Sequence, residues 1–135
     1  MKNDTISFVL LFFCLYPILT SCEKEYDSNG ETIFRTGKNL KGEMMQDRNS
    51  SQRNAIYSCQ DCHGRTGGNI INKDESIKYK DLIDPALRIV PYNDELIKRF
   101  LDEELKSDGT KANTGIVWKM SDKDKTDLIE FLKTL

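Results

Sequence analysis

The sequence Cys59-Gln60-Asp61-Cys62-His63 constrains what this chain can fold into more than any other feature. Two thiols separated by two residues can reach the two vinyl groups of one haem and form thioethers with them. The histidine directly after the second thiol is positioned to bind the haem iron from one side. The spacing therefore predicts one covalent c-type haem, attached through Cys59 and Cys62, with His63 as an axial iron ligand.

Three alternatives to a haem site stay open for the two thiols. A structural zinc site generally has four Cys or His ligands, whereas this region offers Cys59, Cys62 and His63. A thioredoxin-like redox pair would stand near a βαβ pattern, and the chain shows no such alternation of strands and helices. A chance occurrence in a purely structural protein is the third alternative. Gly64 and the glycines after it favour the haem interpretation, because they leave backbone room beside a porphyrin.

The N-terminus carries an almost unbroken apolar run, residues 6–19, preceded by Lys2. A permanent membrane helix needs about 20 apolar residues, so the shorter run predicts a signal peptide. The run ends in Leu19-Thr20-Ser21-Cys22, which resembles a bacterial lipobox, in which the cysteine is acylated and becomes the mature N-terminus. An ordinary signal peptide with an incidental cysteine is the alternative.

These patterns divide the chain into three parts: a lipoprotein signal peptide at 1–21, a lipidated polar tether at 22–32, and one folded domain at 33–135. Cys14 would leave with the signal peptide and Cys22 would take the lipid, so no free thiol remains beside the haem cysteines. Such a distribution favours export to an oxidising compartment. We expect a protein anchored by lipid to a bacterial membrane and facing the periplasm or the cell exterior.

Composition excludes some functions and limits the size of the core. The 135 residues suffice for one ordinary domain. The 20 basic and 22 acidic residues are interspersed, without a basic block that could follow a nucleic-acid backbone. Nucleic acid is therefore not an expected partner. With so modest a core, the haem would supply much of what the helices bury, so haem-free protein is expected to be poorly ordered.

Two helices are predicted in the second half of the chain. The first follows Pro91 and Asn93, with Gly109 just beyond it. Its apolar side chains recur at helical spacing: Leu96, Ile97, Phe100, Leu101 and Leu105. The second begins at Ser121, where Asp124 completes a capping-box pattern. Its apolar stripe consists of Leu128, Ile129, Leu132 and Leu135, joined by Phe131.

Turns and a short helix are predicted in the first half of the folded region. Gly37 and Gly42 indicate turns, and so does the stretch Gly64–Asn69 after the motif. A short helix is expected to run from about Ser51 into the motif.

From the motif and the C-terminal helix, the chain resembles a small mono-haem class I cytochrome c over roughly Phe34 to Leu135. Phe131-Leu132 matches the aromatic-Leu pair that the family carries near the end of its last helix. The resemblance implies an all-α domain wrapped around one covalent haem, with its first and last helices packed together and one haem edge accessible. It also implies that Pro85-Ala86-Leu87 lies beside His63, where a carbonyl could accept the imidazole N–H.

The second axial ligand is open at the level of sequence. His63 is the only histidine, and the resemblance points to a methionine. Met44 and Met45 precede the motif, where the family does not place this ligand, which leaves Met120 as the candidate. No proline follows Met120, however, and counting back from the helix cap places the family's ligand slot near Gly115-Ile116, which has no side chain able to bind iron.

Two functions follow from the two possibilities. A six-coordinate iron suits an electron carrier that receives an electron from one extracytoplasmic redox protein and passes it to another, without being an enzyme itself. An open sixth position would suit a haem enzyme or a sensor of gas or peroxide.

Overall fold

The computed structural model describes residues 26–46, 58–68, 76–116 and 118–135. This part of the chain is helical, and its β structure is limited to three isolated bridges. The five helices are α1 (Asn29–Thr36), α2 (Cys59–His63), α3 (Tyr79–Leu82), α4 (Asp94–Glu103) and α5 (Asp122–Leu132). The predicted all-α class is confirmed at this level. Within the same ranges, no helix has the length and apolarity needed to span a bilayer.

Some of the predicted features fall on residues outside the described ranges. They are the signal peptide, the lipidated Cys22 with the first residues of the tether, and the helical segment from Ser51 towards the motif. Asn69, the last residue of the predicted turn, also lies outside them.

Helix α1 begins earlier than the predicted start of the folded domain. The Ser28 hydroxyl accepts a hydrogen bond from the Glu31 N–H at 3.1 Å, which caps the helix at its N-terminus. Gly37 ends it in the left-handed conformation, with φ of 69°. Ile33 and Phe34 are the only large apolar residues of α1, and both are completely buried. Residues 29–32, assigned to the polar tether, therefore form the first half of a packed helix.

The predictions for α4 and α5 are confirmed in their main features. The Asn93 side chain caps α4, and Ser121 and Asp124 form the predicted capping box of α5. The C-terminal end of α4 differs from expectation. The helix ends at Glu103 rather than near Gly109, and the capping residue Glu104 adopts the left-handed conformation (φ 55°). Leu105 lies beyond the helix, in a bridge with Lys111.

The crossing of α1 and α5 forms the centre of the fold. A β-carbon on Gly30 would overlap the carbonyl oxygen of Asp127 and lie 2.9 Å from Cβ of Phe131, so only glycine permits this approach. The rings of Phe34 and Phe131 pack with centroids 5.2 Å apart. The Asn29 amide donates to Asp127 at 2.7 Å, which adds a polar contact between the two helices.

Helix α4 joins this pair through the core and through one buried cation. The Lys125 ammonium is paired with Asp102 of α4 at 2.8 Å and with Asp122 of its own helix at 2.9 Å. The buried apolar residues form one cluster: Ile33, Phe34, Met45, Cys59, Leu82, Ile97, Leu101, Leu128, Ile129 and Leu132. Leu135 is partly buried against it, so the C-terminus is docked as predicted.

Candidate functional site

Helix α2 contains the complete motif and is defined at both ends by local hydrogen bonds. The Asp61 carboxylate accepts from the Ser58 N–H at 2.9 Å, which offsets an unpaired backbone donor at the helix start. At the other end, the Gly64 N–H donates to the Gln60 carbonyl at 2.8 Å, and Gly64 adopts φ of 68°. Cys59 and Cys62 are three residues apart on this helix, so both thiols lie on one side of it.

The three side chains predicted to hold a haem differ in exposure. Cys59 is buried in the core cluster, His63 is half-buried at the end of α2, and Cys62 is exposed. Burial raises the pKa of the Cys59 thiol to about 12, far above its ordinary value of 9.0. A thiol with so high a pKa stays neutral near neutral pH and is a poor nucleophile.

The turn after the motif has the predicted form over Gly64–Gly68. Gly67 has φ of 71°, and a β-carbon there would lie 2.9 Å from Cδ1 of Leu135. The Gly67 carbonyl accepts from the Ile77 N–H at 2.8 Å and from the buried Ser76 hydroxyl at 3.4 Å. The turn is therefore fixed to the chain that leads into α3.

Residues 83–90, which we call the connector, link α3 to α4 and carry most of the exposed large apolar side chains of the described fold. These are Ile83, Leu87, Ile89 and Val90, and Leu40 is exposed elsewhere. Ile89 has a relative exposure of 101%. The connector is tied to the motif region, because Arg88 Nη2 donates to the Ser76 carbonyl at 2.8 Å and Ser76 contacts the turn after α2.

The Pro85-Ala86-Leu87 stretch forms a turn within the connector. The Leu87 and Ala86 N–H groups are both satisfied locally by Asp84, through its backbone carbonyl and its carboxylate. The predicted hydrogen bond from the His63 imidazole to a carbonyl of this stretch stays a prediction.

The structure brings the candidate methionines into one region of the fold. The Lys119 N–H donates to the Met45 carbonyl at 2.7 Å, and Gln46 forms an antiparallel bridge with Trp118. Met45 is buried in the core cluster, whereas Met120 is partly buried and packs against that cluster. Because Lys119 is held by Met45, Met120 lies between that hydrogen bond and the α5 cap.

Two aromatic residues, near the connector and near Met120 in the sequence, also contact the core. Trp118 and Tyr92 are partly buried against the core cluster. Ile116 is buried and Gly115 adopts φ of 70°, so the alternative ligand slot forms part of a folded loop. Ser58, directly before Cys59, is buried.

Two features of this site had no clear signal in the sequence. The first is the contact of Arg35, in the last turn of α1, with α2: Nη1 of Arg35 lies 3.4 Å from Oε1 of Gln60, and this contact depends on how α1 meets the motif in three dimensions. The exposure of the connector contradicts its apolar composition, which suggests burial by default. The only signal in the sequence for this exposure was the position of the connector shortly after the motif.

Among the residues that the structure describes, no three or more His, Cys, Asp or Glu side chains are grouped so as to hold a metal ion. The chain matches no protein-family profile, no curated protein and no solved structure.

Proposed function

We propose that this chain is an exported, lipid-anchored electron carrier with one covalently bound haem c. The observation that carries the proposal is the placement of the whole motif on one short helix. Cys59 and Cys62 lie on the same side of α2, and His63 ends it. In this arrangement the two thiols would hold one edge of the porphyrin, and the imidazole would bind the iron from one face.

The connector supports the fit of a haem. A porphyrin has two broad apolar faces, and free energy is gained when apolar side chains cover them. Ile83, Leu87, Ile89 and Val90 are exposed side chains of the kind that such a group would cover. They belong to a segment that Arg88 and Ser76 tie to the turn after α2.

The burial of Cys59 argues against a redox pair in which Cys59 is the attacking thiol. The attacking cysteine of such a pair has a lowered pKa, because the thiolate is the reactive species. The pKa of Cys59 is instead raised to about 12. A buried side chain is suited to a permanent thioether, which has no proton to lose.

When bound, the haem supplies an iron that accepts and releases one electron. The protein contributes the two cysteines that keep the cofactor attached, the histidine that binds one face, and helices that limit solvent access. The partners expected from this arrangement are extracytoplasmic redox proteins, with the membrane reached through a lipid on Cys22.

The first experiment tests covalent attachment. Exported protein is denatured, separated by electrophoresis and stained for haem, with the double variant Cys59→Ala/Cys62→Ala as the control. We expect a stained band for wild type and none for the variant. An unstained wild type, purified from cells that mature other c-type cytochromes, would contradict the proposal and favour a structural lipoprotein.

A second experiment tests the anchor. Cys22→Ser is expected to move the protein from the membrane fraction to the soluble fraction and to abolish the lipid mass on the N-terminus. Wild-type protein without lipid would contradict the anchor but not the haem.

A haem enzyme or sensor is the second candidate, and the surroundings of Met120 favour it. The side chain packs against the core, and the backbone is held between Lys119 and the Ser121 cap. A near-infrared band from thioether to iron in the oxidised protein, lost in Met120→Ala and kept in Met44→Ala, would support the carrier. Absence of the band in wild type, together with binding of carbon monoxide to the reduced iron without prior ligand displacement, would support the second candidate.

A further inference from the structure

Arg35 joins α2 to the rest of the described fold. It lies in the last turn of α1, and its side chain is only 13% exposed. Its Nε donates to Oε1 of Glu31 at 3.2 Å, one turn earlier in the same helix. This ion pair fixes the direction in which the guanidinium leaves α1.

The guanidinium reaches α2 and the turn that follows it. Nη1 of Arg35 donates to the carbonyl oxygen of Arg65 in that turn. Nη1 also lies 3.4 Å from Oε1 of Gln60, which stands between the two cysteines of the motif. In return, Nε2 of Gln60 donates to the Arg35 carbonyl oxygen at 3.4 Å. A single side chain therefore contacts both the motif helix and its exit.

The same guanidinium also lies over the aromatic contact of the α1–α5 crossing. Its central carbon is 5.3 Å from the ring centroid of Phe34 and 5.6 Å from that of Phe131. A planar guanidinium can stack on rings while its N–H groups point to carbonyl oxygens in fixed directions. A lysine ammonium is a compact point charge and cannot make both sets of contacts from this position.

We infer that Arg35 is a positioning residue that fixes α2, and with it the haem plane, relative to the α1–α5 crossing. The inference rests on the proposed function. Because Cys59, Cys62 and His63 all lie on α2, a haem held by them would move together with that helix. Arg35 would therefore set how the haem meets the rest of the chain. Ligation and solvent exposure of the haem both influence the reduction potential.

The test uses full-length, haem-loaded Arg35→Met and Arg35→Lys, with Arg99→Met as the matched control. Arg99 is also an arginine that holds a following turn, because its Nη2 donates to the carbonyls of Lys106 at 2.8 Å and Ser107 at 3.2 Å. The control removes the same charge and the same kind of contact at the end of α4. The measurements are the reduction potential and the electron paramagnetic resonance g-values of the oxidised protein.

We expect both quantities to shift in Arg35→Met, to remain shifted in Arg35→Lys, and to keep their wild-type values in Arg99→Met. A loss of stability alone would not shift the reduction potential or the g-values. A shift found only in the Arg35 variants would therefore show that Arg35 positions α2. Wild-type values in both Arg35 variants, or an equal shift in Arg99→Met, would overturn the inference.

A milder variant covers the case in which Arg35→Met does not accumulate. Gln60→Ala removes the contacts within the motif and leaves the guanidinium on its rings, so a smaller shift in the same direction as Arg35→Lys is expected. A wild-type reduction potential and wild-type g-values in both Gln60→Ala and Arg35→Lys would also overturn the inference. If the wild-type protein carries no covalent haem, both the proposed function and this inference are overturned. If the wild-type protein carries haem and the Arg35 variants keep its reduction potential and g-values, only this inference is overturned.

Discussion

The α1–α5 crossing and the connector use apolar side chains in opposite ways. At the crossing, Ile33 and Phe34 are completely buried, and a single glycine allows the two helices to touch. In the connector, four large apolar side chains remain exposed, although this segment is tied by hydrogen bonds to the turn after the motif. At the crossing, apolar side chains are already buried between two parts of the chain. In the connector, they are exposed and could be covered by a further group.

This difference predicts that the two regions gain their folding free energy from different sources. The crossing gains its free energy from the chain alone, through close packing and the polar contacts of Asn29. The motif region would gain part of its free energy from the cofactor, because an exposed apolar side chain contributes little until something covers it. Removing the haem should therefore affect the two regions unequally.

Haem removal is the largest expected perturbation. We expect haem-free protein, made as Cys59→Ala/Cys62→Ala, to lose the sharp cooperative thermal transition of the holo-protein. Hydrogen exchange should show the remaining protection concentrated in α1 and α5, with the connector exchanging fastest. A haem-free protein with a sharp cooperative melt like that of the holo-protein would contradict the proposed division.

Gly30→Ala tests the crossing directly. The new β-carbon would overlap the Asp127 carbonyl, and backbone of a facing helix cannot yield as a flexible side chain can. Although alanine is the better helix former by about 1 kcal/mol, we expect a net loss of about 2 to 3 kcal/mol in the free energy of unfolding of the holo-protein. Chemical denaturation followed by circular dichroism measures this loss.

Gly68→Ala is the matched control for this substitution. Its β-carbon would meet Cε of Lys78 at 3.1 Å, and Cε lies near the end of a flexible side chain that can move aside. A near-unchanged stability is expected. An equal loss in both variants would mean that the close approach of α1 and α5 is not what makes Gly30 necessary.

The sequence predicted α5 well because its signals are local. The cap of Ser121 and Asp124 and the stripe of Leu128, Ile129 and Leu132 all lie within the helix itself. Helix α1 gave a weaker signal, since two adjacent apolar residues and a glycine do not make a periodic stripe. Gly30 falls in the segment predicted to be a polar tether, and the need for glycine at this position is visible only when α5 is placed against it.

Within the candidate site, the motif was recognisable because its spacing is the one that two thioethers to a single haem would require. The relative exposure of its two cysteines was not, since both lie on one side of α2 and the burial of each depends on how this helix is placed against α1 and the core. For Met120, the sequence predicted only that it directly precedes the helix cap at Ser121. Its approach to Met45 arises from a pairing between segments more than seventy residues apart, as the hydrogen bond from Lys119 to Met45 shows.

Ile89→Asn tests the connector. If Ile89 covers the porphyrin in the holo-protein, replacing it with a polar side chain should lower the free energy of unfolding by about 1 to 2 kcal/mol. Leu40→Asn is the control, because Leu40 is also exposed, at 62%, but lies in the segment before the motif. We expect little change there. Equal and negligible effects would show that Ile89 stays in water and that the connector does not complete the haem site.

The smallest expected effect concerns acid, at a contact that links the start of α4 to α3 and α5. The Tyr79 hydroxyl donates to Asp94 at 2.7 Å, and Lys133 approaches the same carboxylate at 3.1 Å. The hydrogen bond from Tyr79, aided by Lys133, lowers the pKa of Asp94 below its ordinary value. The stabilisation is therefore complete above the ordinary carboxyl pKa, about 4, and is lost as the pH falls through the lower folded-state pKa.

Asp94→Asn should cost less than about 1 kcal/mol, because the Asp94 side chain is 41% exposed and solvent screens the charge. The measurement is the difference in unfolding free energy between wild type and variant at several pH values. This difference should be constant near neutrality and shrink as the pH falls below the ordinary carboxyl pKa, about 4, and through the lowered folded-state pKa of Asp94. Taking the difference removes acid effects common to both proteins. A difference that grows as the pH falls would mean that Asp94 destabilises the fold when ionised. The contact would then have to be explained by the packing of the Tyr79 ring beneath Lys133 rather than by charge.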